Sequence, residues 1–159
     1  MILLFVLGIN FFLKMTSGID VKINIYRINE GNLLFNIFGI KAYHTSLEFD
    51  NIEYAFGKND IPYETGVYES EPKQDNHGIY VKSIILGKID RRMFYETFNK
   101  LKQKFLGKNY NFLLNNCNHF TFTLSCYLFK KENNNNNLIN KSSFEIMNQV
   151  NILLGRNWE

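Results

Sequence analysis

The chain is short of cysteine: Cys117 and Cys126 are its only two in 159 residues. Nine positions apart on one predicted helix, they lie about 180° apart around it, so within that helix they can neither bridge each other nor share a metal. Two thiols also fall short of the four ligands of a structural zinc site. A disulfide scaffold is thereby excluded, and a reducing setting, cytoplasm or nucleus, is expected. Long apolar runs are missing as well. Met1 to Leu13 is almost wholly apolar, but a spanning helix needs about 20 such residues. The stretch also lacks the basic n-region and the clear small-residue cleavage site of a signal peptide. No stable membrane insertion is expected, and the domain proper reads as beginning after this extension, near Met15. There is no basic block either. Net charge is +3 with Lys and Arg scattered, so nucleic acid is not an expected partner.

What is present is enough for one domain with its own core. Apolar residues make up 45% and aromatics 16%, and most aromatics fall at strand or helix spacing, as core residues do. Strands are predicted over 21–27, 41–49, 52–56, 66–70 and 79–87, with a hairpin turn at Asp50-Asn51. A helix begins after Asp90, a good N-cap. Its buried stripe is Phe94, Phe98, Leu101 and Phe105, and Gly107 can end it. A second helix runs from about 116 to 130, and an amphipathic one is expected over 142–154. Gly31 to Gly39 is an apolar loop, and Asn133 to Asn137 a low-complexity run. Strands before helices point to an α+β fold. The expected organisation is an extension over 1–17, a core domain over 18–131, a linker over 132–141 and a terminal helix over 142–159.

The chemistry centres on Asn115-Asn116-Cys117-Asn118-His119-Phe120. Phe120, Leu124 and Leu128 recur on one helical face, and Asn is a preferred N-cap. Cys117 therefore falls in the first turn, where unpaired N–H groups and the macrodipole favour an anion. Such a position lowers a thiol pKa from about 8.5 into the range of roughly 3.5–7.5. The plain alternative is a buried structural cysteine. A nucleophile needs a base, and there are three histidines. His119 is about 200° around the helix from Cys117 and reads as a helix-surface contact. His77 lies in the polar turn Lys73-Gln74-Asp75-Asn76-His77-Gly78 and reads as solvated. His44 lies on a strand, sharing a face with Ser46 and Glu48, while Tyr43, Thr45, Leu47 and Phe49 point the other way. One well-placed Cys with one well-placed His fits nucleophilic catalysis. Glu48 and Asp50 read as solvated charges, so no third member is assigned.

The stretch Tyr110-Asn111-Phe112-Leu113-Leu114-Asn115-Asn116-Cys117-Asn118-His119-Phe120 resembles the cysteine motif of the PPPDE, or desumoylating isopeptidase (DeSI), family of permuted papain-fold peptidases. Tyr43-His44-Thr45-Ser46 resembles its histidine motif. Val21 to Tyr26, Glu53 to Gly57, Gly66 to Glu69 and Ile85 to Gly87 follow its strands in order. The resemblance covers roughly residues 20–130 and implies a circularly permuted papain-like fold with a Cys117–His44 dyad. Cys117 would attack a carbonyl carbon; His44 would take its proton and later protonate the leaving amine. Oxyanion donors would be the Cys117 backbone N–H with Asn111, which sits at the papain-like offset of six residues before the cysteine, or Asn116, which an N-cap role explains equally well. No cofactor and no metal are implied. The implied partner is a ubiquitin or SUMO conjugate cleaved at lysine, with Gly39, Thr45 and Ser46 leaving room for a narrow Gly-Gly tail. A thioesterase acting on S-acyl cysteine, or a catalytically idle binding module, are the alternatives. One departure bears on substrate choice: the asparagine run stands where relatives carry Ile-Pro-x-Trp, and Leu138 to Lys141 reads as its remnant.

Overall fold

The computed structural model describes residues 18–28, 43–112 and 114–132. The extension over 1–17, the Gly31–Gly39 loop, the asparagine run and the helix expected over 142–154 lie outside them. Among the described residues, five strands form one sheet: β1 (Ile19–Arg27), β2 (Tyr43–Phe49), β3 (Ile52–Phe56), β4 (Val67–Ser70) and β5 (Ile79–Ile89). Their order is β4-β3-β2-β1-β5, and every pairing is antiparallel. Helices α1 (Arg91–Lys102) and α2 (Cys117–Glu132) follow the last strand. This is the expected α+β arrangement.

Local chemistry explains the joints. Asp50 and Asn51 join β2 to β3 with φ of 53° and 63°, the left-handed pair that a two-residue hairpin turn requires and that Asp and Asn tolerate. Gly87 sits at a register shift between β1 and β5 with φ of 154°. A side chain there would also meet the Phe129 ring at 2.9 Å, so this bulge needs glycine. Asp90 caps α1 by accepting the Met93 N–H at 3.1 Å.

One face of the sheet carries Val21, Ile23, Ile25, Leu47, Phe49, Tyr54 and Phe56, packed against Phe94, Phe98 and Leu101 of α1 and Phe120, Leu124 and Leu128 of α2. The two helical stripes are as the periodicity predicts. Phe49 and Phe94 stack with centroids 3.9 Å apart, and each such buried side chain contributes about 1.5–3 kcal/mol. The end of α1 differs from expectation. The helix stops at Lys102, before Phe105 and Gly107. The chain beyond it pairs with the segment before β4 instead: Gly66 N–H donates to the Phe105 carbonyl and Gly107 N–H to that of Glu64. Thr65 Oγ1 also donates to the Lys102 carbonyl. Phe105 still reaches the core, packing edge-on against both Phe56 and Phe120.

The other face of the sheet is polar and largely buried over β1, β2 and β3. Glu53 has no exposed surface and accepts from Asn24, Tyr26 and Ser46 side chains. Glu48 accepts from Lys22 and Asn24, and these hydrogen bonds, with the Lys22 charge, overcome burial to hold its carboxyl below the usual range. Glu48 is therefore not the solvated charge expected of it: burial of two carboxylates is tolerated because both are bonded. The segment between β4 and β5 folds back across this face. Its anchor is the Lys73 N–H, which donates to Glu53, and that anchor sets the positions of Asp75 and His77.

Candidate active site

The cysteine helix starts at a built cap. Asn116 Oδ1 accepts from the backbone N–H groups of Asn118 at 3.1 Å and His119 at 3.2 Å. In return, His119 Nδ1 lies 3.2 Å from the Asn116 N–H and 2.7 Å from Asn116 Oδ1. This is the reciprocal pattern of a capping box, with imidazole in the place usually taken by Glu. His119 thus braces the helix start instead of making a mere surface contact. Asn116 Nδ2 donates to the Phe112 carbonyl at 2.7 Å, so this side chain is spent on holding the turn and the cap. Asn111 lies in the same turn. It is exposed, pairs backbone-to-backbone with Asn115, and its Oδ1 accepts the Leu114 N–H at 2.9 Å. The cap leaves the Cys117 amide outside the groups that Asn116 bonds.

The first turn of α2 is then clamped to β2. The β2–β3 ladder covers only Leu47 to Phe49 on the β2 side. Before Leu47, β2 meets α2: Thr45 Oγ1 donates to Asn118 Oδ1 at 2.8 Å, and Asn118 Nδ2 donates to the Tyr43 carbonyl at 3.2 Å. These bonds hold Cys117 beside His44. Thr45 and Ser46 are completely buried and bonded inward. They do not line a groove, contrary to expectation; Gly39 is outside the described residues.

His44 is buried, and Cys117 is 4% exposed. Nε2 of His44 lies 3.1 Å from Asp75 Oδ2, leaving Nδ1 as the nitrogen open to the thiol. Burial opposes a charge on His44, but hydrogen bonds with Asp75 and with the Cys117 thiol outweigh it and push its pKa up to about 10. Burial likewise opposes a charge on Asp75, yet the bonds from His44 and His77 hold that carboxyl well below the usual range. Asp75 Oδ1 accepts the His77 N–H at 2.8 Å and lies 2.8 Å from His77 Nδ1. The Tyr68 hydroxyl donates to Asp75 Oδ2 at 2.8 Å. The His44 and His77 rings stack with centroids 5.2 Å apart. Burial and then the charge of Asp75 push the Tyr68 hydroxyl far up; burial and then Cys117 push Tyr110 up to about 12. Both tyrosines are proton donors at neutral pH.

The structure brings Cys117 and His44 together and makes Asn116 a cap. It adds Asp75, His77, Tyr68 and Asn118, none of which the sequence reading singled out for the site. His77 is not merely solvated: its ring is exposed on one side and engaged on the other. Asp75-Asn76-His77-Gly78 carries the composition of a turn, and composition does not say which surface a turn folds onto. Chemically, the arrangement is a thiol beside an imidazole that a carboxylate orients, the geometry of an activated nucleophile. His44, Asp75 and His77 also bring three potential metal-ligating atoms within 4.8 Å of one another.

Residues 16–154 match the family model described as the PPPDE putative peptidase domain. The chain is 36% identical over 103 residues to a DeSI-like protein of Arabidopsis thaliana, covering 64% of this chain and 46% of that protein. It is 36% identical over 112 residues to a DeSI-like protein of Schizosaccharomyces pombe, covering 64% and 53%. It is 29% identical over 120 residues to a desumoylating isopeptidase 1 homolog of Caenorhabditis elegans, covering 70% and 35%. The chain thus spans about half, or less, of the length of these relatives.

Proposed function

The chain belongs to the PPPDE peptidase domain family, and from that premise we propose that it is a cysteine isopeptidase removing SUMO or ubiquitin from substrate lysines. The observation that carries the reading is His44, buried and bonded to Asp75 on one side and to the Cys117 thiol on the other. Cys117 attacks the carbonyl carbon of the isopeptide bond while its proton resides on His44. The tetrahedral oxyanion forms at the start of α2 and is stabilised by the Cys117 backbone N–H. Collapse expels the lysine amine, which leaves with the proton from His44, and an acyl-enzyme remains on Cys117. Water, deprotonated by His44, then releases the modifier. Asp75 is the positioning residue, holding the ring so that Nδ1 faces the thiol. SUMO is the favoured modifier because one relative is named a desumoylating isopeptidase homolog. A cytoplasmic or nuclear setting is part of the same proposal.

The test is a panel of SUMO- and ubiquitin-derived probes carrying a C-terminal electrophile, read by mass spectrometry on the intact protein. The expected result is one adduct on Cys117, lost in Cys117→Ala, together with cleavage of the matching C-terminal amide. Hydrolysis of acyl-thioester reporters with no cleavage of any modifier amide would replace the isopeptidase reading with a thioesterase.

A further inference from the structure

The carboxylate that orients His44 has a second imidazole on it, which orientation alone does not require. We propose that His44, Asp75 and His77, with the Tyr68 hydroxyl at the fourth corner, form a zinc site whose occupation switches the thiol centre off. Tetrahedral zinc binds nitrogen and oxygen at about 2.0–2.2 Å, which places its ligand atoms roughly 3.3–3.6 Å apart. Here His44 Nε2 is 3.1 Å from Asp75 Oδ2, and His77 Nδ1 is 2.8 Å from Asp75 Oδ1. Tyr68 Oη stands 2.8 Å from Asp75 Oδ2, 2.9 Å from His77 Nδ1 and 3.4 Å from His44 Nε2. Both Asp75 oxygens, the two imidazole nitrogens and the Tyr68 oxygen are therefore gathered around one small volume, the ligating atoms of His44, Asp75 and His77 lying within 4.8 Å of one another, and small side-chain adjustments bring one carboxylate oxygen and both nitrogens onto the ion. Two imidazoles and a carboxylate are borderline ligands of the kind zinc takes.

The supports of the site are stiff on three sides. His44 is on β2 and Tyr68 on β4, and the segment carrying Asp75 and His77 is tethered by the Lys73 N–H to Glu53. Asp75 and the His44 side chain are 0% and 5% exposed, while the His77 side chain is 57% exposed. His77 therefore gives an ion its route from solvent. Binding replaces the protons on His44 Nε2 and His77 Nδ1 by metal bonds and releases them to the buffer.

Zinc on Nε2 leaves the remaining ring proton of His44 on Nδ1, held there by the metal-bound ring. That ring can no longer shuttle a proton from the thiol to the leaving amine. Turnover stops although Cys117 is not a ligand. The site stands on geometry alone; its inhibitory effect rests on the Cys117–His44 chemistry proposed above.

The test uses the full chain, stripped with EDTA and titrated with zinc chloride in a calorimeter. One equivalent is expected to bind both wild type and Cys117→Ala. His77→Ala and Asp75→Asn, verified as folded by circular dichroism, are expected to bind at least about tenfold more weakly. No binding to Cys117→Ala, or unchanged affinity in His77→Ala, would overturn the site. In wild type, saturating zinc should leave iodoacetamide alkylation of Cys117 intact while cutting amide cleavage more than tenfold; zinc that blocks alkylation sits on the thiol and overturns the assignment. The ratio of zinc-treated to metal-free rate in His77→Ala, each protein against its own metal-free rate, should return close to one. If the ion binds as expected but cleavage continues, the inhibitory half falls. If it binds and the metal-free protein cleaves nothing, the site stands and the isopeptidase reading falls.

Discussion

Asp75→Asn isolates what the carboxylate does for His44. The substitution keeps the shape and one oxygen acceptor but removes the charge. A hydrogen bond to a charged group is worth about 1.5–3 kcal/mol against about 0.5–1.5 for a neutral one, so the imidazolium loses at least about 1–1.5 kcal/mol. The Coulomb attraction adds to this, with an upper limit of about 4 kcal/mol for unit charges roughly 4 Å apart at an effective dielectric of about 20. At about 1.4 kcal/mol per pH unit, the His44 pKa should fall from about 10 by about one to three units. The sign follows from the charge: Asp75 favours the protonated ring, so its loss favours the neutral one, and fewer molecules hold an imidazolium against a thiolate at pH 7. In EDTA-treated buffer, the alkaline limb of the kcat/KM profile for a modifier amide should move to lower pH by the same one to three units, so the rate loss is larger at pH 9 than at pH 7. Alkylation of Cys117 at neutral pH should slow in parallel, and Asp75→Glu should restore part of both. A variant with wild-type near-ultraviolet circular dichroism, an unmoved alkaline limb and an unmoved alkylation profile would refute the coupling of Asp75 to His44.

Three further outcomes follow from the same contacts. Cys117→Ala should abolish labelling by thiol-directed probes at neutral pH and Cys126→Ala should not; intact-mass spectrometry decides, and a label on Cys126 would move the nucleophile. His44→Ala should lower turnover by roughly 10²–10⁴-fold with a folded spectrum, whereas His119→Ala should mainly cost about 0.5–2 kcal/mol of stability through the lost cap; equal rate losses in steady-state kinetics would remove the distinction between the two histidines. Phe94→Ala, which empties a completely buried position stacked on Phe49, should cost about 3–5 kcal/mol in denaturant melts, and a cost under about 1 kcal/mol would contradict the packing of α1 on the sheet.

The parts of this molecule that are legible in its sequence are those in which the deciding forces act over a few residues. Asp50-Asn51 makes a hairpin because both residues tolerate the left-handed backbone that the turn demands. Phe120, Leu124 and Leu128 declare a helical face, and Asn116 declares its start, because capping and periodicity are nearest-turn effects. Cys117 and His44 are proposed as partners from the sequence because the motifs around them are local. The reading fails wherever a polar residue is decided by something distant. Glu48 alternates on β2 like any solvated strand charge, yet it is buried because Lys22 and Asn24 of β1 complete its bonds. Glu53 is buried because Asn24, Tyr26 and Ser46 side chains and a backbone N–H twenty residues on complete its bonds. The Lys73 tether and the Tyr68 hydroxyl, invisible as a pattern, together hold Asp75 and His77 against His44. A turn composition of Asp, Asn, His and Gly is what a solvated turn carries, and it is equally what a folded-back loop needs in order to reach the His44 ring. The orienting carboxylate was therefore hidden in the least remarkable segment of the domain: its local chemistry specifies only that the chain turns there, while its function is specified by the buried glutamate the turn docks against.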